Sequence, residues 1–222
     1  QWSWKPLWKE TQGFKNIVIL NAEIDEQEMM KGIASVNSFD YTRVNRLSDL
    51  KKGVDQFVEK YYTTNNPSVK IDSFSTANEG IDSLPLEQNF RFSEPISGSG
   101  DYKYFSMNKF SGLEINPFVA DTRFSDVFFG AFRKYTIIGN FTIPDDYSFD
   151  ELPKNLRMIL PDTSISFTRT SAVSENQLSV RINLDFKKPF YRVDEYPDFK
   201  EFYKKLFDIL NEQFVFRKNI KR

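Results

Sequence analysis

Residues 180–186 read VRINLDF. Val180, Ile182, Leu184 and Phe186 alternate with Arg181, Asn183 and Asp185. Successive side chains of a strand point to opposite faces. The alternation therefore predicts an antiparallel strand with one buried and one half-exposed face. Shortly after it, Pro197 opens a helix, where a missing N–H costs little. Phe199, Phe202, Tyr203, Leu206, Ile209 and Leu210 recur at helical spacing and give residues 197–211 one apolar face. A strand around Phe214 and Phe216 closes the chain. Strands gathered beside one late helix predict an α+β fold, mostly antiparallel and sandwich-like.

The pattern extends toward the N-terminus. Ile165 and Phe167 share one face of a strand, and Leu156, Met158 and Leu160 belong to another. Tyr135, Ile137, Phe141 and Ile143 mark a third, ended by a turn at Pro144-Asp145-Asp146-Tyr147. Residues 113–222 are thus expected as a β-sandwich-like lobe with its helix near 197–211. Residues 1–112 are expected as a second β-rich lobe. It starts with a buried strand, FKNIVIL at 14–20, whose return over 22–33 makes a hairpin with a turn near 25–27. A helix is expected at 48–62, capped by Ser48, with Leu50, Val54, Phe57, Val58 and Tyr61 on one face. Residues 39–46 read as an earlier part of the same helical region, and Pro67 ends it. Strands follow at 69–74, 84–92 and 101–107. The flexible ISGSG at 96–100 suggests that the last two form a hairpin.

Composition restricts the chemistry. The 222 residues include no His and no Cys. That excludes Ser-His-Asp and Cys-His nucleophiles, and zinc, copper or haem sites built on imidazole or thiolate. Phe accounts for 23 residues and only 9 are Gly, which suits a packed core and argues against a Gly-rich phosphate cradle. Thirty basic and 31 acidic residues leave a net charge of −1, without the basic excess of a nucleic-acid binder. No apolar run is long enough to span a bilayer. The chain opens at Gln1 rather than Met, which suggests a trimmed or mature fragment.

The surviving catalytic candidates are carboxylates. Asp145, Asp146, Asp150 and Glu151 cluster in sequence, but turns favour Asp for its backbone hydrogen bonds. Asp25, Glu26 and Glu28 lack the spacing and Gly of a calcium loop and read as a solvated hairpin. Trp2, Trp4 and Trp8 form an aromatic strip, read either as a partner- or sugar-facing surface or as an edge strand on the core. Asn116, Pro117, Phe118 and Arg123 form an ordered loop. There Arg123 can bind a carboxylate of a peptide or partner, or tie the loop to the sheet below.

Three segments carry a family resemblance. Ile143-Pro144-Asp145-Asp146-Tyr147 with Glu151-Leu152-Pro153 resembles an "IPxGYxxxELP" signature. Tyr196-Pro197-Asp198-Phe199-Lys200-Glu201-Phe202-Tyr203 resembles a "YPxxKEFY" helix start, and Asn116-Pro117-Phe118 with Arg123 resembles "NPF…R". Together they are similar to the C-terminal region of bacterial transglutaminase-like proteins, a domain of unknown function. The resemblance covers roughly residues 14–218 and is strongest from 113 onward. Asp146 departs from it, standing where the signature has Gly before Tyr. In that family a papain-like core carries the catalytic Cys, His and Asp, and none maps onto this chain. The resemblance implies a non-catalytic accessory module without cofactor or metal. Its expected partner is the transglutaminase-like core of the same parent chain, or another protein or a glycan. Export by a Gram-negative bacterium implies a periplasmic or cell-surface location. The alternative is a standalone extracytoplasmic glycan- or peptide-binding protein. A carboxylate-based hydrolase ranks last. The expected contact residues are Trp2, Trp4, Trp8, Phe118 and Arg123.

Overall fold

A computed structural model describes residues 12–219. In chain order the elements are β1 (Phe14–Ile24), β2 (Met29–Phe39), α1 (Asp40–Leu50), α2 (Val54–Val58) and a π-helical turn (Glu59–Thr63). There follow β3 (Lys70–Ala77), β4 (Leu86–Pro95), β5 (Ser97–Ser99), β6 (Tyr102–Phe105), β7 (Val127–Phe128), β8 (Arg133–Thr142) and β9 (Tyr147–Glu151). The chain finishes with β10 (Leu156–Ile159), β11 (Ile165–Ser174), β12 (Gln177–Phe186), β13 (Phe190–Tyr191), α3 (Tyr196–Leu210) and β14 (Phe214–Lys218).

Eight strands form the main sheet, in the order β10-β11-β12-β8-β1-β2-β4-β3. Every pairing in it is antiparallel except β1 with β8. That parallel ladder joins strands from either side of residue 112 into one sheet. A four-stranded sheet, β5-β6-β14-β9, and the helices cover one face of it. Phe105 of β6 lies 4.7 Å from Phe141 of β8, ring to ring, and Tyr203 of α3 lies 6.2 Å from Phe186 of β12. Phe57 of α2 lies 5.7 Å from Phe74 of β3. The fold is the mostly antiparallel α+β, sandwich-like architecture that the alternation implies. Among the described residues no helix is long and apolar enough to cross a membrane.

The other face of the large sheet is open. Register sets a ladder of Thr170, Arg181, Ile138, Ile19, Ser35 and Asn89 across it. Beside that ladder, Asn140 donates to Asn21 at 2.9 Å and Ser179 donates to Asn140 at 3.0 Å. The one aromatic ring that the described residues place on this face is Phe39, and the Lys15 ammonium lies over it at 4.3 Å.

Three local expectations are corrected. The helix expected at 48–62 is two helices. Gly53 adopts φ +141°, a conformation open to glycine, and breaks the chain between α1 and α2. Ser48 therefore sits inside α1 rather than capping a helix. The expected hairpin between 84–92 and 101–107 does not form. Ser97–Ser99 is itself a strand, pairing with β6 in the small sheet while β4 stays in the large one. Residues 147–151, read as the sequel of a turn, are strand β9, paired with β14.

The core holds polar groups as well. Gln88 of β4 is fully buried in the row of Leu86, Phe90 and Phe92. Its Oε1 accepts from the Tyr62 hydroxyl at 2.7 Å and from Arg46 Nη1, which also donates to Tyr62 at 2.8 Å. Its Nε2 donates to the carbonyls of Val36 and Leu86. Each of Gln88's own polar atoms is thereby paired, as burial requires.

Buried hydroxyls give the fold an alkaline limit. Burial pushes Tyr62, Tyr191 and Tyr203 from 10 up to about 12. The folded state favours the neutral phenol, so this stability is complete below pH 10 and is lost as pH rises to about 12. The rise corresponds to roughly 3 kcal/mol for each of the well-buried Tyr62 and Tyr203, and to less for Tyr191. Circular dichroism and tyrosinate absorbance recorded together should show a cooperative loss of fold over that window. Titration of all ten tyrosines near pH 10 in an intact fold would contradict the burial of these three rings.

Candidate functional site

The loop between β6 and β7 carries the candidate site. Asn116 Oδ1 accepts from the Phe118 N–H at 2.8 Å, a short side-chain-to-backbone turn. Phe118 then enters the core. It meets Phe199 at 4.8 Å and Tyr203 at 4.7 Å, both edge to face. The Tyr196 hydroxyl donates to Ala120 O at 2.9 Å, and Lys200 pairs with Asp121 at 2.6 Å. Arg123 Nε donates to Ser125 O at 3.3 Å, and its guanidinium lies 5.6 Å from the Tyr196 ring. Asp126 Oδ1 accepts the Val193 N–H at 2.9 Å, and the Phe129 N–H donates to Pro189 O at 2.7 Å. Helix α3 and the 190–196 segment thus hold this loop at successive points along its length.

Between those points the loop turns apolar side chains outward. Phe124 is completely exposed, Val119 and Phe128 are each 74% exposed, and Phe190 and Val193 are near 40%. Phe128 and Phe190 are cross-strand partners in the β7–β13 pair. A shallow depression of about 650 Å³, lined by Asp126, Phe190, Arg192, Val193 and Asp194, lies alongside. Fully burying a Phe side chain gains roughly 1.5–3 kcal/mol. Here Val119, Phe124 and Phe128 on the braced loop and β7, with Phe190 and Val193 on the segment paired to them, leave that gain unrealised. Phe128 and Phe190 stand side by side, and exposed apolar surface of that kind is a feature of interaction sites.

The sequence-derived residues fall differently. Phe118 is 7% exposed and belongs to the core, so no partner reaches its ring. Arg123 braces the loop through Ser125 and Tyr196. Trp2, Trp4 and Trp8 lie outside the described residues. The exposed ring is Phe124, in the same loop, and no signal in the sequence separates it from Phe118.

The family scan bears on this region. A model described as a domain of unknown function, DUF3858, matches residues 101–216, more than half of the chain. The chain belongs to the DUF3858 family. The DUF3858 segment runs from the start of β6 into β14 and contains the whole exposed loop together with α3. Searches of curated proteins and of solved structures return no match.

The carboxylates occupy structural places. Asp145 accepts from Asn176 Nδ2 at 2.9 Å, and Asp146 lies 3.6 Å from Lys218. Asp25 caps the β1–β2 turn, accepting from the N–H groups of Gln27 and Met29, and pairs with Lys31 at 2.6 Å. The Lys31 hydrogen bond holds its carboxyl below the usual range. Among the described residues no group of three or more acidic side chains is placed to hold a metal ion.

Proposed function

We propose that this DUF3858 chain is a non-catalytic docking module. It acts through the exposed apolar ridge of Val119, Phe124, Phe128, Phe190 and Val193. The single observation that carries this reading is a completely exposed Phe on a loop tied down on both sides of it. A braced loop has already lost its conformational freedom, so little ordering cost remains to be met on binding. Aromatic side chains are the ones that interfaces concentrate at their anchors. The resemblance to transglutaminase-like proteins names the partner we favour, the papain-like core of the same parent chain. It also supplies the proposed periplasmic or cell-surface location.

The glycan-binding alternative draws less support. Sugar stacking needs exposed aromatic faces. Among the described residues the open face of the large sheet offers only Phe39, which Lys15 covers, so a glycan too would have to use the ridge.

Intact mass and N-terminal sequencing of the native polypeptide test the proposal. A longer chain with a Cys- and His-containing domain before Gln1 is expected. A native chain starting at Gln1 would remove the proposed partner and return the standalone reading.

A further inference from the structure

The described residues contain three arginines whose Nε is shut off from solvent without a hydrogen-bond partner: Arg43, Arg46 and Arg133. Two of them place at least one Nη on acceptors. Arg43 donates to Asp82 and to the carbonyls of Asn78 and Glu79, and Arg46 donates to Tyr62 and Gln88. Arg133 differs. No hydrogen bond or ion pair engages its guanidinium among the described residues, and its contacts are the rings of Phe129 at 4.5 Å and Phe14 at 5.3 Å. Its Nε is shut off between the two rings, and no protein acceptor among the described residues meets the rest of its fork.

Arg133 lines a cleft of about 330 Å³ where β1 and β8 begin and β12 ends. Lys15, Lys134 and Lys187 line it too, against the carboxylates of Asp40 and Asp185. Asp185 already lies 3.5 Å from Lys134. Four cations facing two carboxylates give this cleft a positive balance on a chain whose net charge is −1. The same walls include Gly13, Phe14, Phe132 and Phe186, so cationic and apolar groups meet in one cavity. A buried Nε without an acceptor, on a guanidinium that lines a cleft, calls for an explanation. Guanidinium matches a carboxylate with two parallel N–H···O bonds.

We infer that this cleft binds a carboxylate attached to an apolar group, with Arg133 as its anchor. The ligand class is a peptide C-terminus whose last side chain is apolar. The free carboxylate engages the Arg133 fork, Lys187 adds charge at the rim, and the side chain lies against Phe14. Arg123, the arginine to which the sequence reading gave this chemistry, is engaged in bracing its own loop. The site is separate from the apolar ridge and does not depend on it.

The test is calorimetric titration of the whole chain with N-acetylphenylalanine, its amide, and N-acetylaspartate amide, which carries only a side-chain carboxylate. N-acetylphenylalanine is expected to bind. Amidation should weaken binding about tenfold or more, since a hydrogen bond to a charged group contributes that much. Arg133→Lys keeps the charge, removes the fork and should cost about tenfold on the same grounds. Lys187→Gln, on an exposed residue, should weaken binding without disturbing the fold, and Phe124→Ser should leave it unchanged. Equal binding of acid and amide, no heat with any probe, or an Arg133→Lys variant that binds normally would overturn the inference. Tighter binding of the aspartate derivative would overturn the C-terminal assignment.

Discussion

Replacing Arg169 by Met is expected to destabilise the fold by about 3 kcal/mol, since each buried acceptor left unpaired costs roughly 1–3 kcal/mol. Arg169 is 2% exposed, on the core side of β11. Its Nε and Nη2 donate to Lys154 O at 3.2 and 2.9 Å, its Nη1 to Ile209 O at 2.8 Å, and its Nη2 to Glu212 at 2.6 Å. One side chain thus fastens the segment before β10, the last turn of α3 and the large sheet together. Ile209 O lies in the last turn of α3, where besides Arg169 it accepts only a long bond from the Glu212 N–H at 3.4 Å. Glu212 is half exposed and water will solvate it, so the loss falls mainly on the two carbonyls. For a chain of this size the melting temperature should fall by roughly 6–12 °C. Arg181→Met, on the open face of the same sheet, is the control and should change stability by no more than about 0.5 kcal/mol. Urea unfolding of the two variants measures both. Equal effects would remove Arg169 from its structural role.

The second large effect concerns the ridge. Phe124→Ser combined with Phe128→Ser should weaken association with the proposed partner, the transglutaminase-like core, by on the order of a thousandfold, taking about 2 kcal/mol for each anchor. Both rings are exposed, so the isolated chain should keep its melting temperature. Unchanged affinity would place the contact elsewhere. A collapse of the fold would instead mean that the rings support the loop.

How much of this was legible in the sequence depended on how cleanly each segment repeats. Strand β12 and helix α3 were readable because their apolar residues follow one period without interruption. Gln88 breaks the apolar row of β4, and only the approach of Arg46 and Tyr62 explains it, a contact across distant segments. Arg169 continues the inward row of Ile165 and Phe167, a position where alternation expects an apolar residue. A charged residue at such a position was the available signal, and its partners on Lys154 and Ile209 come from the tertiary fold. The loop after Asn116 was recognisable as ordered. Which of its two phenylalanines is buried was not, because Phe118 and Phe124 differ only in what packs around them. Arg133 stands at the start of a strand, and its lack of an acceptor is visible only once Phe14 and Phe129 flank it.

The most direct test of docking through the ridge is photo-crosslinking in native cells. A photoreactive phenylalanine analogue replaces Phe124 in one variant and Asn89, on the open sheet face, in another. Docking through the ridge predicts that position 124 captures the transglutaminase-like core and that position 89 does not. Silence at position 124, or equal capture from position 89, would contradict it.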